Sequence, residues 1–356
     1  MQVTIEGITK RYGDITAVDE ISLTAEEGEL TSLVGPSGCG KTTTLRLISG
    51  LISPNEGRIL IGDEVVAAPQ EGIHVPIQKR DVGFVFQTFD VWPHLDVFDN
   101  VAFPLKIRDF SKREIEERVH DILDLANIEA LVDKSATDLS GGQQARVSIC
   151  RALVYEPKIL LFDEPLTGLD RNLRRQMRYE IRRIQREVGI TSVYVTHNQP
   201  EAMTMSDKIC LLNTRGQVEQ IGTAQDIYRH PTSRYSFDFF GTSQYLDGEV
   251  GPNGEIRTPI GAVTHTQEPP EGGHVTVAFR PEELELSRES HADWSANTWS
   301  GVVEQYSFLG DTHEFSVRVD GETLVARQSR LEEGIEEGDR VHVHIDADFV
   351  HLFDEV

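Results

Sequence analysis

Gly35-Pro36-Ser37-Gly38-Cys39-Gly40-Lys41-Thr42-Thr43 is the stretch on which the fold turns. It satisfies the spacing G-x-x-x-x-G-K-[ST], in which backbone N–H groups cradle phosphate oxygens. Its flanks agree: Glu29–Val34 reads as a strand and Thr43–Ile48 as the opening of a helix. Gly35, Gly38 and Gly40 let the backbone turn tightly against an anion, and the following helix aims its positive end at the same place. Lys41 is then set to reach the β/γ-phosphates and the Thr42 hydroxyl to bind Mg²⁺, with Pro36, Ser37, Cys39 and Thr43 completing the nucleotide-binding loop. An ordinary glycine-rich turn is the plainer reading. The full spacing and both flanks argue against it.

The chain has 356 residues, room for two domains with a core each. Hydrophobic residues make up 38% and charged ones 26%, a globular rather than a disordered composition. No apolar run approaches the ~18 residues that span a bilayer, and no basic-then-apolar leader opens the chain, so the expected product is soluble and made in the cytoplasm. Cys39, Cys150 and Cys210 are too scattered for a disulfide framework or a zinc site. A net charge of -25 argues against nucleic acid, which selects basic patches. Positive charge is mostly arginine, and lysine is absent after Lys208. Such a surface fits life in high salt, where self-repulsion is screened, and fits ordinary acidic solubility equally.

Upstream of the loop, Val3–Ile8 alternates like an edge strand with Ile21–Ala25 as its neighbour, and Tyr12 sits in a turn between them, able to stack on a flat adenine ring. Downstream, Gly57–Gly62 reads as a strand, followed by a polar loop to Arg80. Val82–Phe86 reads as a buried strand ending at Gln87, whose amide oxygen can meet a metal ion or an attacking water. Phe89, Trp92 and Pro93 are either core or an exposed patch that docks a partner. Ser111–Leu131 has helical spacing behind a Ser111/Glu114 capping box. These features make residues 88–156 a helical subdomain inserted into an α/β core. Within it, Ser140 caps a helix behind Gly141, Gly142 and Gln143, a second anion-seeking helix start.

Lys158–Pro165 is a continuous apolar run of the central parallel-strand kind, with Asp163 and Glu164 at its C-terminal end, where ligands bind in open α/β sheets. Asp163 suits Mg²⁺ held with Thr42, and Glu164 suits a water poised for in-line attack. Thr167–Asp170 precedes an arginine-rich helix to Glu187, and Ile190–Thr196 reads as a strand ending at His197, a γ-phosphate sensor by position.

With these motifs in order, residues 1–240 resemble the ATP-binding subunit of an ABC transporter. Residues 35–43 resemble its Walker A, Gln87 its Q-loop and Leu139–Gln144 its LSGGQ signature. Asp163 and Glu164 resemble Walker B, Asp170 the D-loop, His197 the H-loop and Tyr12 the adenine-stacking A-loop. Thr167-Gly168-Leu169-Asp170 departs from the commoner Ser-Ala/Asn-Leu-Asp without touching the catalytic assignments. The tail, residues 241–356, carries recurrent strand signals between Gly/Pro/Asp turns, and Phe279–Glu282 with Val350–Phe353 resemble the TOBE (OB-like) domain of importer ATPases. The expected architecture is therefore α/β: a P-loop NTPase ABC core with an inserted helical subdomain, then a small C-terminal β-barrel.

The resemblance implies MgATP hydrolysis with Glu164, His197 and Gln87 as catalytic groups, and Mg²⁺ on Thr42, Gln87 and Asp163. It implies a homodimer, or a dimer with a paralogous ATPase, in which Ser140, Gly141, Gly142, Gln143 and Asp170 of one subunit close over ATP held by the other. It also implies two transmembrane permease subunits, indirectly an extracytoplasmic solute-binding protein, and a peripheral position on the cytoplasmic face of the membrane. Sugar, polyamine or ferric iron are the implied solutes. The competing classes are a soluble ABC ATPase of translation or repair, which usually carries tandem domains or a long coiled coil, and an exporter component. His342, His344 and His351 alternate along the tail without carboxylate or cysteine partners and read as surface residues rather than metal ligands.

Overall fold

The computed structural model describes residues 1–354 apart from 253, 269–272, 290, 293, 295 and 330–333. The chain divides into two compact units, Met1–Thr232 and Ser233–Val356.

The first unit opens with β1 (Val3–Tyr12), β2 (Ile15–Ala25), β3 (Leu30–Val34) and α1 (Lys41–Ser49). β4 (Glu56–Ile61), β5 (Glu64–Ala68), β6 (Ile73–His74) and α2 (Ile77–Arg80) follow, then β7 (Val82–Val85) and three helices, α3 (Val97–Ile107), α4 (Lys112–Leu125) and α5 (Gly141–Leu153). β8 (Ile159–Asp163), α6 (Arg171–Val188), β9 (Thr191–Thr196), α7 (Gln199–Met205), β10 (Lys208–Leu212), β11 (Val218–Gly222) and α8 (Ala224–Arg229) complete it.

These strands make two sheets. One is antiparallel, in the order β2-β1-β4-β5-β6. Val3–Ile8 is thus paired on both sides, and the edge position expected for it belongs to β2. The polar loop expected after Gly62 contains β5, β6 and α2; its charged ends hid a short apolar run, Val65–Ala68. The second sheet runs β11-β10-β3-β9-β8-β7 and is parallel from β10 to β7. Every residue of β3, β8 and β9 is buried, which is why they read as unbroken apolar or small runs rather than as alternation. Parallel order places the C-terminal ends of β3, β8, β9 and β7 on one rim, where residues 35–40, Asp163–Glu164, His197 and Gln87 emerge.

α4 carries the expected capping box, with Ser111 Oγ accepting from Glu114 N and Glu114 returning a carboxylate to Ser111 N. Its Ile115, Val119 and Leu123 are buried against α3 and α5, the core of the helical segment. Among the described helices none is long and apolar enough to cross a membrane.

Among its described residues the second unit contains α9 (Arg234–Phe239) and ten strands: β12 (Gln244–Val250), β13 (Ile256–Thr258), β14 (Gly261–Val263), β15 (His274–Phe279), β16 (Glu285–Ser287), β17 (Thr298–Phe308), β18 (His313–Val319), β19 (Glu322–Gln328), β20 (Arg340–His344) and β21 (His351–Asp354). Two antiparallel five-stranded sheets, β14-β13-β12-β15-β21 and β16-β20-β17-β18-β19, share one apolar core of residues such as Val277, Phe315, Val317 and Val343. The β-rich tail is as expected: its sequence signals at 275–279, 301–304, 314–319, 323–326 and 340–345 fall on β15, β17, β18, β19 and β20, while β12, β13, β14 and β16 are short or glycine-interrupted and give weaker ones. Residues 232–251 hold α9 and all of β12. The histidines need correction too. His351 is 2% exposed beside the Phe237 and Phe353 rings, and His342 and His344 are half-buried. This unit contains no lysine; its cations are arginines.

Candidate active site

The phosphate loop is held open by sterics. Gly40 adopts φ 93°, and a Cβ there would lie 2.1 Å from the Ala17 carbonyl; a Cβ on Gly35 would lie 2.6 Å from the Leu212 carbonyl. Only glycine fits either position. The loop, with Ala17, Gln87 and Glu164, lines a cavity of about 280 Å³. Lys41 is buried beneath it, and its Nζ donates to the carbonyls of Gly35 and Pro36 at 2.8 Å each. Cys39 is 2% exposed, and burial pushes its thiol up from the ordinary range.

Thr42 Oγ1 donates to Asp163 Oδ1 at 2.7 Å, joining the start of α1 to the end of β8. Asp163 is 8% exposed; burial raises its carboxyl above the usual range, opposed by the Thr42 hydroxyl, Arg46 and Lys41. These hard oxygen donors fit Mg²⁺, which binds through one or two protein groups and keeps water and phosphate oxygens for the rest.

Glu164 sits at φ 45°, a left-handed conformation unusual for a side-chain-bearing residue, fixed by Glu164 N donating to Val195 O at 3.0 Å. Its Oε2 accepts from His197 Nδ1 at 2.9 Å and from Thr167 Oγ1 at 3.2 Å. An ionised carboxylate only accepts, so the imidazole proton lies on Nδ1. Thr167 was not singled out in the sequence; its signal was its place three residues after Glu164 in the same tight turn.

The other candidate residues stand apart from this cavity's lining. Tyr12 is 50% exposed at the end of β1, with Lys10 Nζ 5.2 Å from its ring centre. Ser140 caps α5: its Oγ accepts from Gln143 N at 3.4 Å while Gln143 Oε1 accepts from Ser140 N at 3.0 Å, and Gly141 and Gly142 form the first turn. Asp170 caps α6, Oδ1 accepting from Asn172 N and Leu173 N at 3.0 Å each. Ser140 and Asp170 are exposed at these two helix starts, whereas Gly142 is buried against Leu173.

Gln87 is exposed, and beyond it Phe89 and Asp90 hold φ 58° and 45°. Arg151 on α5 fixes them, donating to the Phe89 and Asp90 carbonyls at 2.9 and 2.6 Å and lying 4.7 Å from the Trp92 ring centre. Phe89 is core, whereas Pro93 is exposed and Trp92 half-buried. Trp92 joins Phe84, Phe86, Phe103 and Ile107 in lining an apolar groove of about 820 Å³.

Comparison with known proteins gives the family. Residues 18–167 match the family described as ABC transporter, and residues 277–353 match the TOBE domain. The trehalose/maltose import ATP-binding protein of Thermococcus litoralis is 39% identical across 99% of this chain and 97% of its own length. The spermidine/putrescine import ATP-binding protein of Rubrobacter xylanophilus is 42% identical across 97% and 92%. The Fe(3+) ions import ATP-binding protein of Brucella abortus is 39% identical across 94% and 92%. Among solved structures, cbiO1 from Clostridium perfringens, part of the ABC transporter complex cbiONQ, superposes with TM-score 0.58 at 30% identity, covering 64% of this chain and 90% of its own. A dimeric ATP-binding cassette in a post-hydrolysis state with ADP and Pi gives 0.53 at 33% identity, covering 62% of this chain and 98% of its own.

Proposed function

The chain belongs to the ABC transporter family, among its import ATP-binding subunits, and from that premise we propose how its residues hydrolyse ATP and convey the result. Lys41 and the backbone N–H groups of residues 35–43 bind the β- and γ-phosphates, and Tyr12 stacks on the adenine. Thr42, Asp163 and Gln87 would hold Mg²⁺, which supplies charge neutralisation for the phosphates. The Glu164 carboxylate, whose Oε2 is held by His197 and Thr167, takes a proton from the attacking water as the water's oxygen bonds the γ-phosphorus and the bond to ADP breaks. His197, hydrogen-bonded to the same carboxylate oxygen, orients Glu164 and meets the γ-phosphate.

The observation that carries this is a pair of hydrogen bonds, Thr42–Asp163 at 2.7 Å and His197–Glu164 at 2.9 Å, each with one member, Thr42 or Glu164, lining the same cavity. The exposed helix caps Ser140 and Asp170 support a head-to-tail pair of chains, homodimer or paralogue heterodimer, in which each signature closes over the other subunit's ATP. The apolar groove beside Trp92 supports docking of two permease subunits at the cytoplasmic face of the membrane. An extracytoplasmic binding protein then acts only through them. The solutes named for the relatives support sugar, polyamine or ferric iron as this chain's cargo. Matching from end to end, tail included, disfavours a soluble translation or repair ATPase. Glu164→Gln tests the core of the proposal. It keeps MgATP binding, loses about 10²–10⁴-fold in kcat, and accumulates closed dimers on size-exclusion chromatography with light scattering. Wild-type turnover, or a MgATP-loaded variant that stays monomeric, rejects it.

A further inference from the structure

A second polar network lies behind the Glu164–His197 pair. Glu201, in the first turn of α7, is 4% exposed. Its Oε2 accepts from Tyr194 Oη at 3.0 Å and from Thr196 Oγ1 at 2.7 Å, the residue immediately before His197. Its Oε1 faces Arg174 Nε at 3.9 Å, too long for a hydrogen bond but within ion-pair range. Arg174 Nη2 donates to the Leu169 carbonyl at 2.8 Å, so the guanidinium grips the loop that runs from Glu164 to Asp170. Arg174 Nε is buried without a hydrogen bond. A cavity of about 50 Å³ lies alongside, walled by Leu166, Thr167, Arg174, Thr196, His197 and Glu201.

Stability alone is a poor reason for this arrangement. Glu201 is buried but the Arg174 side chain is 34% exposed, and a partly solvated pair 3.9 Å apart adds little to stability. Its connectivity is the informative part. One end holds the loop whose Thr167 bonds Glu164, and the other holds the strand end that delivers His197 to the same Glu164 oxygen. Interiors are close-packed, so a void bounded by the network's own members leaves the pair room to tighten or slacken without moving β8 or β9.

We propose that Arg174 and Glu201 are positioning residues that tie the 166–170 loop to His197, so that displacement of that loop by a second copy of the chain resets the donors around Glu164. This rests on the head-to-tail pairing proposed above, and it makes turnover, rather than ATP affinity, the property the partner controls.

The test uses the purified full chain with MgATP. Glu201→Gln keeps an acceptor for Tyr194 and Thr196 but removes the charge facing Arg174. Its kcat falls about tenfold or more, its KM stays within about twofold, and the Hill coefficient for ATP drops toward 1, because misplacement of a catalytic group by a fraction of an ångström acts on the chemical step. Arg174→Lys keeps the charge but cannot reach both Leu169 and Glu201; it shows the same split and carries the test where Glu201→Gln does not fold. A wild-type kcat in either folded variant overturns the inference, as does a parallel loss of kcat, ATP binding and melting temperature. Failure of MgATP-loaded Glu164→Gln to pair overturns the dimer reading and this inference together; pairing alongside a wild-type kcat in Glu201→Gln overturns this inference alone.

Discussion

Arg80 offers a test of how the phosphate-loop helix is anchored. Its side chain is 2% exposed and donates to four backbone carbonyls: Val75 at 2.6 Å, Leu47 and Ile48 at 2.8 Å, and Val66 at 3.1 Å. Burial lowers the guanidinium to about 10, so it remains charged at neutral pH. Leu47 and Ile48 lie in the last turn of α1, whose carbonyls lack helical partners. The Leu47 and Val66 carbonyls have second donors in Gly50 N and Val75 N, whereas those of Ile48 and Val75 depend on Arg80. Arg80→Met fills similar volume and orphans those two acceptors at roughly 1–3 kcal/mol each, partly offset by relief of a buried charge, for a net loss of about 3 kcal/mol. The assay is urea unfolding followed by Trp92 fluorescence in a Trp294→Phe/Trp299→Phe background, which confines the signal to the first unit. A loss below about 1 kcal/mol would refute the anchoring argument. Gly50→Ala should destabilise the same unit, since φ is 80° and its Cβ would lie 2.5 Å from Arg80 Nε.

Tyr12→Ala should raise the KM for ATP about tenfold with little change in kcat, since adenine stacking is worth roughly 1–3 kcal/mol in binding; steady-state kinetics decide it. Asp163→Asn removes a carboxyl that burial raises above its unfolded value. Wild-type Asp163 contributes stability in full at pH below its unfolded pKa, and that contribution is lost as pH rises through the folded one. At neutral pH the ligand-free variant should therefore melt at or above wild type, yet lose the Mg²⁺-dependent rise in melting temperature with ATP; a wild-type Mg²⁺ response counts against the assignment. Raising KCl from about 0.1 to 1 M shortens the screening length from about 10 to 3 Å, so a chain of net charge -25 should melt higher in the concentrated salt, and an unchanged thermal shift points away from self-repulsion.

The rim of the parallel sheet was legible because buried strands and phosphate loops constrain sequence locally. A fully apolar run must sit inside, and the residues just past its end must emerge at one edge. Asp163, Glu164 and His197 were found by that rule, and it also brought Thr42 to Asp163. The features that escaped depend on partners far apart in the chain. Glu201 looks like any acid in a helix start until Tyr194, Thr196 and Arg174 surround it. Arg80 reads as the charged end of a loop until four carbonyls converge on it. The pairing of β1 on both sides was hidden because a half-buried antiparallel strand alternates whether it is central or lateral.

The absence of lysine from the β-rich unit reaches into its handling. Amine-directed reagents such as succinimidyl dyes or glutaraldehyde find no ε-amino group beyond Lys208, so whatever they mark or tether on a lysine belongs to the nucleotide-binding half. A lysine-specific protease leaves residues 209–356 as one piece, in which the whole β-rich unit travels with β11 and α8 of the first.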